Sequence, residues 1–117
     1  MKQVFVCVPT KGLTAEEAKE KQAEALAMAG AYLQSPEELV LMDTYVDPNY
    51  QYTQATEKEQ EELRRRMNLE HLGRDIRIMA TADIIVFGPG WTDSPICIAE
   101  RECAVRFKKQ VIDVTVA

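Results

Sequence analysis

The sequence predicts an α/β fold: a single flavodoxin/Rossmann-like domain over residues 1–117, with a short parallel sheet of four to five strands flanked by helices. Three observations carry this expectation. Short runs rich in β-branched and aromatic residues alternate along the chain with longer segments of helical period, the pattern of a parallel sheet joined by helical crossovers. Helix-start signals stand between those runs, two capping boxes and one Ser-Pro. At 117 residues, 46% hydrophobic and 28% charged, the chain has the length and composition of one globular core.

Lys2–Val8 is the first strand, ending at the loop Pro9-Thr10-Lys11-Gly12. Thr14-Ala15-Glu16-Glu17 is a capping box that opens a helix to about Leu33. Ala18, Gln22, Ala25, Leu26, Ala29 and Leu33 give that helix a stripe of mostly small residues, suited to close packing on a sheet. Ser35-Pro36 stops it, and Leu39-Val40-Leu41-Met42, too short for a helix, is the second strand. Asp43–Ala55, with Pro48, Asn49 and Tyr45, Tyr50 and Tyr52, reads as a long loop. A second capping box, Thr56-Glu57-Lys58-Glu59, starts a largely exposed helix to about Met67, in which Arg64-Arg65-Arg66 reads as a solvated face. Leu69, Leu72, Ile76 and Met79 continue a helical stripe that stops near Thr81. Ala82–Phe87 is the next strand and Gly88–Asp93 a turn. Ser94-Pro95 starts a helix to about Lys108, and Val111–Val116 is the last strand.

The formal charge of −5 and the pI near 4.9 oppose polyanions, so a nucleic-acid polymer or an anionic membrane is not an expected partner, although a small anion has room to bind locally. Cys7, Cys97 and Cys103 are odd in number, lie in apolar runs and form no C-x-x-C pair, which speaks against a metal site and a disulfide framework. The N-terminal stretch lacks a signal-peptide pattern and no apolar run is long enough for a membrane span, so the expected location is cytoplasmic.

In a parallel sheet, ligands bind beyond the carboxyl ends of the strands, here Pro9–Gly12, Asp43–Asp47 and Gly88–Ser94. On a helical wheel Ile96, Ala99, Cys103, Ala104 and Phe107 share one arc, and Glu100 falls inside it. A carboxylate there is costly unless paired or protonated, which marks either a functional acid or a buried structural Glu paired with an Arg or capping a backbone group. Asp75, between Leu72 and Met79, is either a boundary residue or a second acid brought to the same end of the sheet. Ser94 is a helix N-cap and, at a helix start, a contact for phosphate or carboxylate. Trp91 is either a platform for a base or a staple on the turn. The Pro9–Gly12 loop matches neither a Walker A nor a dinucleotide fingerprint, and His71, the single histidine, supports no catalytic triad.

At these residues the chain resembles the nucleoside 2-deoxyribosyltransferase-like superfamily, and within it the small DUF4406-type proteins. Val6-Cys7-Val8-Pro9-Thr10-Lys11-Gly12-Leu13 is similar to the family's first strand and its "SGPMTG" loop. Arg74-Asp75-Ile76 followed by Ala82-Asp83-Ile84-Ile85-Val86 is similar to its "D-L-…-ADxVV" stretch. Gly88-Pro89-Gly90-Trp91-Thr92-Asp93-Ser94-Pro95-Ile96-Cys97-Ile98-Ala99-Glu100 resembles "PGWxxSxGAxxE". The resemblance implies Glu100 as nucleophile at the sugar C1′ and Asp75 as assistant to the leaving base. It places Ser94 at a sugar or phosphate contact, and Pro9, Thr10, Gly12, Gly90, Trp91 and Asp93 around the substrate. It further implies cleavage of a nucleoside or nucleotide N-glycosidic bond, as transferase or hydrolase, without metal or cofactor, in a homo-oligomer. The chain departs from the pattern at Ile96-Cys97, where the family has Gly-Ala, and at Cys7-Val8, where it has Ser-Gly; both add bulk near that pocket. The alternative is a non-catalytic nucleotide-binding or protein-interaction module of the same fold.

Overall fold

The computed structural model describes residues 1–10, 12–33, 38–44 and 57–114. The order is β1 (Lys2–Cys7), α1 (Ala15–Leu33), β2 (Leu39–Leu41), α2 (Glu57–Thr81), β3 (Ile84–Phe87), a 3-10 turn (Trp91–Asp93), α3 (Pro95–Arg106) and β4 (Val111–Asp113). The four strands form one parallel sheet in the order β2-β1-β3-β4, with Cys7 beside Phe87 and Phe87 beside Asp113. The fold is therefore α/β, and the strand order is that of a flavodoxin-like sheet.

Right-handed crossovers fix where the helices lie. The chain steps one way from β1 to β2 and the other way from β2 to β3 and from β3 to β4, so α1 covers one face and α2 and α3 the other. The period of two along each strand supplies both faces. Val4, Val6, Val8, Ile84, Val86 and Ile112 pack on Ala25 and Ala29 of α1; Phe5, Cys7, Ile85 and Phe87 pack with Met79 of α2 and Cys97 and Ala104 of α3. The first capping box forms as the sequence predicts: Glu17 N donates to Thr14 Oγ1 at 3.2 Å and Thr14 N to Glu17 Oε1 at 3.2 Å. The second box includes Thr56 and lies outside the described residues, as does most of the Asp43–Ala55 loop.

Two helix boundaries and one buried face differ from the sequence reading. α2 runs unbroken from Glu57 to Thr81, because Asn68 and Leu69 contain no stop signal between the polar stretch and the apolar stripe. Arg65 and Arg66 pair with Glu61 and Glu70 along its surface, the solvated face expected for that run. Phe107, assigned to the apolar arc, is 80% exposed, and the buried face of α3 is Cys97, Glu100 and Ala104. The helix ends at Arg106, so Phe107 sits on the cap where the chain turns away.

That turn is a Schellman motif: Lys109 N donates to Ala104 O at 2.9 Å and Lys108 N to Val105 O at 3.2 Å. Lys108 holds the left-handed position at φ 59°, where glycine is usual. Lys109 then reaches back and caps α2, its Nζ donating to Ala80 O at 3.0 Å and Ala82 O at 2.9 Å. Lys108→Gly is expected to add roughly 0.5–1 kcal/mol of stability by relieving the left-handed strain, read as a higher urea midpoint at unchanged m-value; an unchanged or lower midpoint contradicts it. Among the described residues no helix is long and apolar enough to cross a membrane.

Candidate active site

β1 and β3 lie side by side, yet their outgoing connections leave toward opposite faces, which makes their carboxyl ends the topological switch point of the sheet. The loops that follow are packed against each other. Gly88 N donates to Cys7 O at 2.9 Å, and a Cβ on Gly88 would overlap Val8 Cγ1 and stand 3.1 Å from Ala25 Cβ. Gly90 has φ +88°, and a Cβ there would meet Pro9 Cγ at 3.3 Å. Pro9 and Thr10 are half-buried, while Gly12 and Asp93 are exposed at the rim; Lys11 lies outside the described residues.

The turn after β3 is closed by its own backbone, Trp91 N to Gly88 O, Asp93 N to Gly90 O and Ser94 N to Trp91 O. Ser94 then caps α3 as predicted, its Oγ accepting from Cys97 N at 3.3 Å, with Pro95 in the first helical position. This cap sets the phase of α3 and so turns Cys97, Glu100 and Ala104 toward the sheet.

Glu100 is 1% exposed, and neither carboxyl oxygen has a hydrogen-bond partner among the described residues. Among the described residues it pairs with no Arg and caps no backbone group. Asp75, half-buried on α2, and Cys7, at the end of β1, are its polar neighbours. Burial pushes the Glu100 carboxyl up to about 9, and the adjacent Asp75 pushes in the same direction. Burial also raises Asp75, against the pull of Glu100, Arg74 and His71. The two acids act as one unit, an inner carboxyl that keeps its proton and an outer one closer to solvent. An acid pair holding one proton can deliver a proton and a carboxylate nucleophile in the same step.

Trp91 is a staple. Its ring lies 5.9 Å from that of Phe87 at a tilt of 60°, and the Arg101 guanidinium sits 4.9 Å from its centroid. Arg101 in turn holds Asp113 at the end of β4 through two hydrogen bonds, at 2.9 and 2.6 Å. This chain of contacts is absent from the sequence reading, because its ion pair joins residues twelve apart on different elements. Thr44, past β2, is a second junction that sequence reasoning missed. Its hydroxyl accepts from Gln22 Nε2 at 3.1 Å and its carbonyl from Arg74 Nη1 at 3.4 Å, tying α1 and α2 to the same end of the sheet. An apolar groove between α2 and α3, lined by Ile76, Met79, Cys103, Ala104 and Phe107, lies toward the other end of α3 from Ser94.

The structure thus brings together Asp75 and Glu100, and sets Pro9 against Gly90 and Ser94 at the start of α3. Among the described residues no group of three His, Cys, Asp or Glu is arranged to hold a metal ion. No family model, curated protein or solved structure matches the chain.

Proposed function

We propose that the protein cleaves the N-glycosidic bond of a nucleoside or nucleotide, the activity of the nucleoside 2-deoxyribosyltransferase-like proteins it resembles. The observation that carries the reading is a buried Glu100 beside Asp75, its carboxyl without a geometric hydrogen-bond partner among the described residues, at the sheet's switch point. Glu100 forms a bond to C1′ as the C1′–N bond breaks, and Asp75 gives the departing base its proton. A second base or water then attacks C1′ and frees Glu100. Ser94 contacts the sugar or its phosphate, and Pro9, Thr10, Gly12, Gly90 and Asp93 line the approach; Trp91 supports them from behind. No cofactor enters the scheme. A homo-oligomer that completes the open side of the site, and a cytoplasmic location, belong to the same proposal.

The chemistry requires the pair to hold one proton. In the resting pair that proton favours Glu100; reaction proceeds from the arrangement with Asp75 protonated and Glu100 ionised. Activity is therefore expected to follow a bell with pH, failing on the acid side when both carboxyls are protonated and on the alkaline side above about 9, when the pair loses its last proton.

A second reading is binding without turnover. Glu100 is 1% exposed, and Cys7 and Cys97 pack beside it, whereas a reacting carbon must come within about 3–3.5 Å. The test is incubation with a panel of deoxynucleosides and their 5′-monophosphates, with and without a free acceptor base, followed by chromatography for released or exchanged base. Glu100→Ala is expected to abolish product and Asp75→Asn to lower its rate by about 10²-fold or more. Absence of product from every substrate, with wild type and Glu100→Ala alike, excludes the enzyme; saturable binding in that case establishes the second reading.

A further inference from the structure

Arg101 stands one residue past Glu100 on α3, about 100° round the helix, so that as the acid turns inward the guanidinium comes to lie at the margin. There it belongs to a closed ring of contacts. Phe87 and Asp113 are sheet neighbours at the ends of β3 and β4, and Val114 N donates to Phe87 O at 2.9 Å. Asp113 accepts from Arg101 Nε and Nη2, the Arg101 guanidinium lies over the Trp91 ring, and that ring packs against Phe87. Two strand ends, the turn and α3 are thereby tied together.

The turn takes its shape and its position from different contacts. The N–H groups of Trp91, Asp93 and Ser94 donate to carbonyls inside the turn, and none of Trp91, Thr92 and Asp93 is buried. Backbone hydrogen bonds therefore fix its shape, whereas the indole, the approach of Gly90 to Pro9 and the Gly88 bond to Cys7 O fix where it lies. Glu100 is held differently, by the packing of Cys97 and Ala104 against the sheet on either side of it.

We infer that Arg101 is a positioning residue for substrate binding: it holds the Gly88–Ser94 turn, and with it Gly90, Asp93 and Ser94, in the binding geometry without touching the substrate itself. The inference rests on the glycosidase reading of the site. A guanidinium suits the task, because its edge gives two hydrogen bonds to the Asp113 carboxylate while its flat face stays free for the indole. A Lys ammonium is a point charge and cannot fill both roles at once. Since the turn carries the binding groups and the core packing of α3 carries the acid, loss of Arg101 acts on KM and leaves kcat largely alone.

Kinetics and amide exchange on the full chain test this role, with deoxynucleosides and their 5′-monophosphates as probes. In Arg101→Gln and Asp113→Ala, KM is expected to rise roughly tenfold, the combined strength of a part-exposed ion pair and a cation–π contact, with kcat within about threefold of wild type. Arg101→Lys, which keeps the charge and loses the fork, should recover only a minor part. The double variant should do no more than either single one, because both open the same ring. Hydrogen exchange of the Trp91, Asp93 and Ser94 amides, measured without substrate, is expected to quicken about tenfold in each variant. Loss of fold alone gives the reverse split, kcat falling with the active fraction while KM stays, and that result would overturn the inference. A KM rise confined to the monophosphates makes Arg101 a direct phosphate contact and overturns it as well, as does a wild-type KM in Arg101→Gln or Arg101→Lys. No product from wild type with any probe removes the glycosidase reading and this role with it, so the two failures are told apart.

Discussion

Glu100→Gln is expected to stabilise the protein by a few kcal/mol at about pH 8 while changing little at about pH 4. The Glu100 carboxyl is raised from 4.5 to about 9 in the fold. Below 4.5 the folded and unfolded chains both hold this proton, and the group adds no pH dependence. Between 4.5 and about 9 the folded chain keeps the proton and the unfolded chain releases it, so stability falls as pH rises, by up to about 1.4 kcal/mol per pH unit. Above about 9 both forms are ionised and the loss is complete. Asp75, raised by burial, adds a loss of the same sign as pH rises through its own folded value, and this part persists in the variant. Gln has the shape of the protonated acid and no proton to lose. Urea unfolding at several pH values reads the result directly: the wild-type slope should flatten in the variant, and parallel curves would mean that Glu100 is ionised in the fold.

Gly88→Ala is expected to cost about 2–3 kcal/mol, because the methyl has no room. Val8 Cγ1 occupies its place and Ala25 Cβ is 3.1 Å away, so both layers of the core would have to give. The obstacle is a branched side chain at the end of β1 and a helix already packed at alanine distance, neither with a flexible end to swing aside. Val8→Ala should therefore recover part of the loss. In a double-mutant cycle the two substitutions are expected to couple by about 1 kcal/mol or more. Additive effects would show that the loops do not meet as described. Gly90→Ala is a useful contrast, since its penalty is mainly the left-handed backbone at φ +88°.

The sequence conveyed the fold through signals that are local. Alternation in Val4–Val8, the Thr14–Glu17 box and the Ser94-Pro95 start each report on a few neighbouring residues, and each element formed where they indicated. The proximity of Asp75 to Glu100 was legible only in part: both fell on inward-facing stripes, but their meeting depends on the crossover geometry that puts α2 and α3 on one face. What escaped was long-range and polar. The Arg101–Asp113 pair, Lys109 capping another helix, and Thr44 bridging Gln22 and Arg74 join residues whose spacing has no helical or strand period. Phe107 was misplaced for a related reason, because a wheel continues past a helix end that the chain has already left.

Trp91 is the one tryptophan in the chain, and it packs against Phe87 and Arg101 on the turn that leads into α3. The protein thus carries a built-in optical reporter at the rim of its candidate site. A cation over the ring and a tilted aromatic neighbour define the emission of the closed turn. Any event that lifts the turn off Pro9, or parts Arg101 from the indole, registers in a signal that needs no label and no substrate.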